Sequence, residues 1–279
     1  MRRWTRYVKV IVGGVILCLL VICGVAAPLL APYDPQEQRL EERLRPPAWH
    51  LAKEGTYILG TDNLGRDLLS RIIYGSRISL LVGASTVILA GLIGCLLGAV
   101  AGYFGEMIDE TINKTTEIFL AFPFLLLAIA IMAFLGQGIF NLILALVLSR
   151  WVQYCRVVRG EVLSLKEREF VQAVRALGGK DFYIILRHVM PNTLPSVMVI
   201  ATFAMAIVII TEASLSFLGL GVPPSIPTWG SMLSEGRSYM YRAPWLTIWP
   251  GMAIFVTVLG INLLGDGLRD ILDPKLSRQ

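Results

Sequence analysis

Side chains that commonly build active sites are sparse here. His50 and His188 are the only histidines, and neither has metal-ligand neighbours in the sequence. The four cysteines, Cys18, Cys23, Cys95 and Cys155, lie in or beside apolar stretches without the spacing of a zinc site or a disulfide framework. They are expected to act as small apolar packing residues. No Gly-rich loop ending in Lys-Ser/Thr is present, so the chain has no ATP site of that kind. No cluster of His, Ser, Asp or Cys supports catalysis, and no cofactor or metal is expected in this chain. Two charges do fall inside apolar stretches, Arg150 and Glu212. An ionisable group there is costly and often lines a pathway. Structural pairing is the expectation for both, with a possible translocation path as the alternative. Glu212 follows Thr211 and precedes small residues, which suits close helix packing. Asn141 and Asn262 are expected to hydrogen-bond between helices.

The elements that carry these residues are set by hydropathy. Of 279 residues, 55% are hydrophobic and 16% charged, against about 25% charged in a soluble domain. Val10–Tyr33, Ile78–Gly105, Ile118–Ser149 and Ala243–Gly265 contain no charged residue at all. Roughly 20 apolar residues at about 1.5 Å each cross the ~30 Å hydrocarbon core. The chain therefore reads as an all-α membrane protein with six transmembrane helices, at 9–30, 78–103, 117–135, 138–156, 196–217 and 245–265. Gly136-Gln137-Gly138 is expected to split the longest run into two antiparallel helices, a single tilted helix being the alternative.

Parity supports that split. Arg2, Arg3, Arg6 and Lys9 precede the first span, and Arg156, Arg159, Lys166, Arg168, Arg175, Lys180 and Arg187 follow the fourth. Both groups belong in the cytoplasm by the positive-inside rule, which requires an even number of spans between them. Arg269, Lys275 and Arg278 place the C-terminus inside too. The segment 31–77, placed outside, runs against the rule with seven Lys/Arg beside seven Asp/Glu. The net charge of +5 thus serves topology and not nucleic-acid binding. Basic residues, an apolar stretch and Val25-Ala26-Ala27 also resemble a signal peptide. Pro28 after the small residues, and an apolar run longer than about 7–15 residues, favour a retained anchor.

Three parts result: an anchor helix and extracytoplasmic segment at 1–77, a transmembrane core at 78–270, and a cytoplasmic tail at 271–279. In the first, Leu59-Gly60-Thr61-Asp62-Asn63-Leu64-Gly65 reads as a turn. An amphipathic helix over Asp67–Tyr74 would follow, with Leu68, Ile72 and Ile73 on one face and Arg66 and Arg71 near the polar side. Such a segment either docks a partner or simply caps and anchors the second span.

The loop 156–195 is far longer than the roughly 2–8 residues a helix connection needs. Ser164-Leu165-Lys166-Glu167 reads as a capping box for a helix with Phe170, Val174 and Leu177 on one face. Gly178-Gly179 ends it. Asp181 caps a second helix through Phe182, Ile185, Leu186 and Val189. Pro191-Asn192-Thr193-Leu194-Pro195 breaks that helix before the fifth span. Short apolar faces of this kind lie either in a partner's groove or on lipid.

The stretch Gln172-Ala173-Val174-Arg175-Ala176-Leu177-Gly178, followed after nine residues by His188-Val189-Met190-Pro191, resembles the EAA motif of ATP-binding-cassette importer permeases. Ala173, Gly178 and Pro191 stand at the motif's spacing. Gln172, Val174, His188 and Met190 stand where the motif has Glu, Ala, Ile and Leu. Leu59-Gly60-Thr61-Asp62 with Gly65-Arg66-Asp67 and Ser70-Arg71 is similar to the entry into span two of peptide and nickel permeases. Glu212–Gly221 is similar to the end of their fifth span. Asn262–Asp270 with Leu272-Asp273-Pro274 is similar to their C-terminus. The resemblance runs from about residue 28 to 276 and is nearest to C-type subunits of dipeptide/oligopeptide importers.

That resemblance implies a type I importer permease fold in a prokaryotic inner membrane, with both termini cytoplasmic. A coupling helix through Phe170, Val171, Gln172, Ala173, Val174, Arg175, Leu177 and Gly178, closed by Pro191, would seat in a cytoplasmic ATPase. Two ATP-binding subunits, which hold the ATP and Mg, a B-type permease forming a heterodimer and an extracytoplasmic substrate-binding protein are the implied partners, beside membrane lipid. Cargo would be dipeptides or oligopeptides, with nickel or glutathione as alternatives. A secondary transporter would need internal repeats with paired broken helices and intramembrane acids. The sequence has no such repeat, and Glu212 is its one internal acid.

Overall fold

The computed structural model describes residues 2–48 and 57–272. His50, Asp273, Pro274, Lys275 and Arg278 lie outside the described residues, as do the side chains of Arg2, Arg3 and Arg6. Among the described residues every regular element is a helix. These are α1 Arg2–Val25, α2 Ala27–Leu30, α3 Leu68–Phe104, α4 Glu106–Leu120, α5 Phe124–Leu135 and α6 Ile139–Leu165. Then come α7 Glu169–Ala176, α8 Asp181–Ile184, α9 Met190–Phe217, α10 Trp229–Arg237 and α11 Trp245–Leu272, with a 3-10 turn at Leu40–Glu42 between α2 and α3.

Five helical stretches among the described residues are long and apolar enough to cross a membrane: Tyr7–Val25, α3, α6, the rod Asp181–Phe217 and α11. The expected third span, 117–135, is not a straight helix. α4 and α5 meet at 85° across a short break. Pro123 disfavours helical backbone at Phe122 and lacks an N–H for the turn, which accounts for the break. The split at Gly136–Gly138 does occur. Gly136 takes φ +80° and Gly138 φ +156°, and the Asn141 amide donates to the Leu135 and Gly136 carbonyls. Asn141 of α6 thus reaches the last residue of α5, an inter-helix bond made at the turn that joins them. Asn262 makes no side-chain hydrogen bond among the described residues.

Two other boundaries differ from expectation. No separate helix covers 67–74, because α3 runs unbroken for 37 residues from Leu68. Asp67 caps it, accepting from the Ser70 N–H at 2.8 Å. Nor does the chain break between Pro191 and Pro195. Pro191 falls in the first turn of α9, where a missing N–H is tolerated. A π turn over Ile185–Val189 joins α8 to α9 and resets the hydrogen-bond register. Pro195 sits inside α9 and removes one bond without ending it.

α3 packs against α6 along its length and against α9; α1 lies against α11, and α11 against α9. The α3–α6 contact is made by Gly94, Gly98 and Gly102. A Cβ at Gly94 would overlap the Trp151 carbonyl oxygen, one at Gly98 the Cys155 carbonyl oxygen, and one at Gly102 would lie 2.9 Å from the Arg159 oxygen. Cys95, Cys155, Val158 and Val162 fill the core around this seam.

Gly98→Ala should therefore force the two helices apart at a cost of about 2–3 kcal/mol. Gly14→Ala, with nothing within 4 Å of the added carbon, should leave stability unchanged. Melting in detergent followed by tryptophan fluorescence checks this, and equal melting temperatures for the two variants would contradict the seam.

Candidate functional site

The loop 156–195 folds as a hairpin, though not from the expected caps. Ser164 lies inside α6, which ends only at Leu165. Arg168 is the N-cap of α7 and supplies no side-chain bond. The expected box fails because α6 continues through it, leaving no free first turn at Ser164 to cap. The Gln172 amide instead donates to the Lys166 carbonyl at 2.8 Å, closing the end of α6. Asp181 is the first residue of α8 and not its cap. Its carboxylate accepts from the Tyr103 hydroxyl at 2.7 Å.

Gly178 ends α7 with φ +82°. The Gly179 N–H donates to the Val174 carbonyl and the Gly178 N–H to the Arg175 carbonyl. This closes the helix with the glycine in the left-handed conformation.

The face expected from Phe170, Val174 and Leu177 is divided by the structure. Val171 is fully buried and Val174 packs against the same core, with Ile184, Ile185 and Val189. Phe170 is half exposed, and Leu177 is 88% exposed. Ala173, Arg175 and Gly178 are exposed, Gln172 is half-buried, and Pro191 is exposed at the start of α9. Phe182, Tyr183 and Leu186 extend the exposed apolar surface beyond α7. The hairpin therefore has two sides: valines and isoleucines face the bundle, while Phe170, Leu177 and Phe182 face away. Periodicity through Phe170 missed this, because Val171, one residue on, is the true inward position.

The two intramembrane charges are not brought together. Among the described residues Arg150 has no acidic partner. Its guanidinium lies 3.5 Å from the centroid of the Phe124 ring, and its Nε has no hydrogen-bond partner. Glu212 is 1% exposed. It accepts from the Ser216 hydroxyl at 2.9 Å and from the Ser79 hydroxyl at 3.3 Å, across from α9 to α3. His188 is half-buried with its ring against Tyr183. Cys95 and Cys155 are buried, Cys18 is exposed, and all four cysteines are free.

A third constellation was only partly legible in the sequence. At the end of the bundle opposite the hairpin, Arg66 Nε donates to Asp62 Oδ2 at 2.6 Å, and its Nη2 to Glu235 Oε2 at 2.7 Å. Arg71, only 2% exposed, reaches the same two acids. Arg66 and Arg71 are thus buried, against the expected polar-side placement. Asp62 also accepts the Leu64 and Arg66 N–H groups, which shapes the Gly60–Gly65 turn. Asp67, beside it, has its carboxyl pushed up by burial, opposed by the bonds from Ser70. Only the Asp62–Arg66 spacing was a local signal. Glu235 arrives from α10, far along the chain. The Trp245 indole N–H donates to the Thr61 carbonyl at 3.2 Å and fixes the turn to α11.

Removing one partner from a buried charge group is strongly destabilising. Glu235→Leu should cost about 3–5 kcal/mol and loosen the 57–67 segment. Protease cleavage within that segment on the folded protein should then speed up, and an unchanged rate would show that Asp62 alone holds both arginines.

Residues 94–278 match the family described as the binding-protein-dependent transport system inner membrane component. Residues 2–47 match the N-terminal TM domain of oligopeptide transport permease C. A di/tripeptide transport system permease protein of Pseudomonas aeruginosa is 44% identical over 265 residues, 95% of this chain and 88% of that protein. A glutathione transport system permease protein of Pectobacterium atrosepticum is 42% identical over 275 residues, 99% of this chain and 90% of that one. Among solved structures, the inward-facing MetNI methionine ABC transporter aligns with a TM-score of 0.60 at 19% identity, covering 74% of this chain and 98% of its own. An amino acid ABC transporter aligns at 0.54 and 15% identity, covering 76% and 95%. At such identities the likeness is one of fold.

Proposed function

The chain belongs to the family of binding-protein-dependent transport system inner membrane components, and from that premise we propose that it is the C-type permease of an ATP-driven importer of dipeptides or oligopeptides. It is a multi-pass inner-membrane permease with the fold of ABC importer permeases. The peptide reading rests on the N-terminal match at 2–47 and on the name of the 44% identical relative. Glutathione, itself a tripeptide, is the second reading, favoured by the 42% identical relative that carries that name.

The observation that carries the role is the two-sided hairpin. Phe170, Leu177 and Phe182 are exposed while Val171 beneath them is fully buried. Burying one such side chain in a partner is worth about 1.5–3 kcal/mol, and this surface would be the seat for a cytoplasmic ATPase. Phe170, Val171, Gln172, Ala173, Val174, Arg175, Leu177, Gly178 and Pro191 form this coupling element in the proposal, with Val171 and Val174 as its inward anchor. ATP and Mg would be held by two partner ATPases, a B-type permease would complete a heterodimer, and a binding protein would deliver cargo from outside. Both termini and the hairpin would face the cytoplasm. Residues 1–77 would be the anchor and outer segment, 78–270 the permease core and 271–279 a tail. Arg150, lacking an acidic partner among the described residues, is the stronger of the two candidates for the translocation path. Glu212, bonded to two serines, fits a packing role. ATP moves such a machine only through different affinities of the seat in its two states.

The complex reconstituted in vesicles with its ATPases and binding protein should accumulate a radiolabelled dipeptide with ATP and not with ADP. ATP-driven uptake of glutathione alone would replace the peptide reading, and no uptake of either would reject both. A cysteine at Arg175 should cross-link to the ATPase, while one at Asn63 should not; the reverse would overturn the orientation. Gly178→Val places a β-branched residue at φ +82°, a strain of about 1–2 kcal/mol. Uptake should fall several-fold while ATP hydrolysis persists, and full uptake would remove Gly178 from coupling.

A further inference from the structure

Tyr103 lies one residue before the end of α3 and is 5% exposed. Its hydroxyl donates to Asp181 Oδ1 at 2.7 Å. The Arg175 guanidinium lies over the same ring, 5.2 Å from its centroid. Arg175 belongs to α7 and Asp181 to α8, so one tyrosine touches both legs of the hairpin across the Gly178–Gly179 turn. The chain itself joins α7 to α6 and α8 to α9. Tyr103 adds α3, to which neither leg is covalently joined. Ala99, Tyr103, Val158, Val162, Val171 and Ile184 share one core beneath this point. The glycine seam keeps α3 from shifting independently of α6. A displacement of the hairpin thus reaches three spans at once, provided that the Tyr103 tie holds.

The two contacts of the ring differ in kind. A hydroxyl-to-carboxylate bond is charge-assisted and directional, and it fixes an angle. A cation over a ring face is far more tolerant of sliding. We propose that Tyr103 is a positioning residue for coupling: through Asp181 it sets the angle between α7 and α8, and it passes their movement to α3. This rests on the reading that the hairpin is the ATPase seat.

The test uses the reconstituted complex, with uptake of a radiolabelled dipeptide and ATP hydrolysis measured on the same vesicles. Tyr103→Phe keeps the ring beside Arg175 and deletes the hydroxyl, which bonds Asp181 and also faces the Arg175 guanidinium; agreement with Asp181→Ala isolates the Asp181 bond. Dipeptide taken up per ATP should fall roughly tenfold, the equivalent of one hydrogen bond to a charged group, with hydrolysis within twofold of wild type. Asp181→Ala should match it. Asp181→Asn, which still offers an accepting oxygen, should restore most of the ratio. The double variant Tyr103→Phe with Asp181→Ala should be no worse than either single one. An unchanged ratio in Tyr103→Phe overturns the role of Tyr103, as do multiplying losses in the double variant. A parallel drop in assembly, hydrolysis and uptake would show a merely structural tie and also overturns it. Wild-type complex without ATP-driven uptake overturns the transport reading itself, whereas uptake in wild type with an unaffected Tyr103→Phe removes only this inference.

Discussion

The contact of α3 with α6 is made backbone to backbone. Hydrophobic exclusion cannot drive two helices together where lipid is as apolar as the side chains, so close packing and hydrogen bonds must do so. Gly94, Gly98 and Gly102 allow that approach, since any side chain there would meet a carbonyl or side-chain atom of α6. Everything at the hairpin end is built on the resulting pair. α7 continues from α6, the core that receives Val171 is shared by α3 and α6, and Arg159 of α6 holds Asp109 of α4 in a two-pronged ion pair. α9 then packs on α3 and carries the other leg of the hairpin.

Five of the six expected spans were legible because uncharged length is a direct consequence of the bilayer's thickness, whereas the third, 117–135, is bent by 85° at Pro123, which hydropathy alone does not register. The hairpin's stop at Gly178 was legible for a local reason, a backbone conformation that glycine adopts cheaply. Errors came where a local signal met a tertiary one. Ser164 to Glu167 satisfies a capping pattern, yet α6 continues through it. Pro191 and Pro195 look like a break, yet the π turn ahead of them makes room for a continuous rod. The division of α7 into an inward and an outward side turns on Val171, and periodicity alone favoured its neighbour. The charge group of Asp62, Arg66, Arg71 and Glu235 joins segments more than 160 positions apart, and a single sequence holds no record of such a pairing.

The two ends of the bundle are secured by different physics. At the hairpin end α7 and α8 are tied by apolar contacts and single directional bonds, with the Arg159–Asp109 ion pair set between α6 and α4. At the other end two arginines and two carboxylates are enclosed together, and the Trp229 and Trp245 indoles donate to main-chain carbonyls of Ile72 and Thr61. Separating enclosed charges costs several times what one neutral hydrogen bond does. The contacts at the charged end thus cost more to break than those that hold α7 and α8.

The sharp turn between α4 and α5 has a consequence for water. α5 is twelve residues long, so it rises only about 18 Å from the Gly136 turn, well short of the ~30 Å hydrocarbon core. With the Gly136 turn at one membrane face, the irregular stretch Ala121–Pro123 would fall at bilayer depth, where main-chain groups outside the helical ladder require either protein or water; the Pro123 carbonyl already accepts from the Leu127 N–H. Ala121, Phe122 and Pro123 are exposed in this chain. Arg150 stands beside the same point, over Phe124. One hydrated recess would serve both the bend and a guanidinium that has no acidic partner among the described residues, so the kink that spoils a straight span would also ease the burial of a cation there.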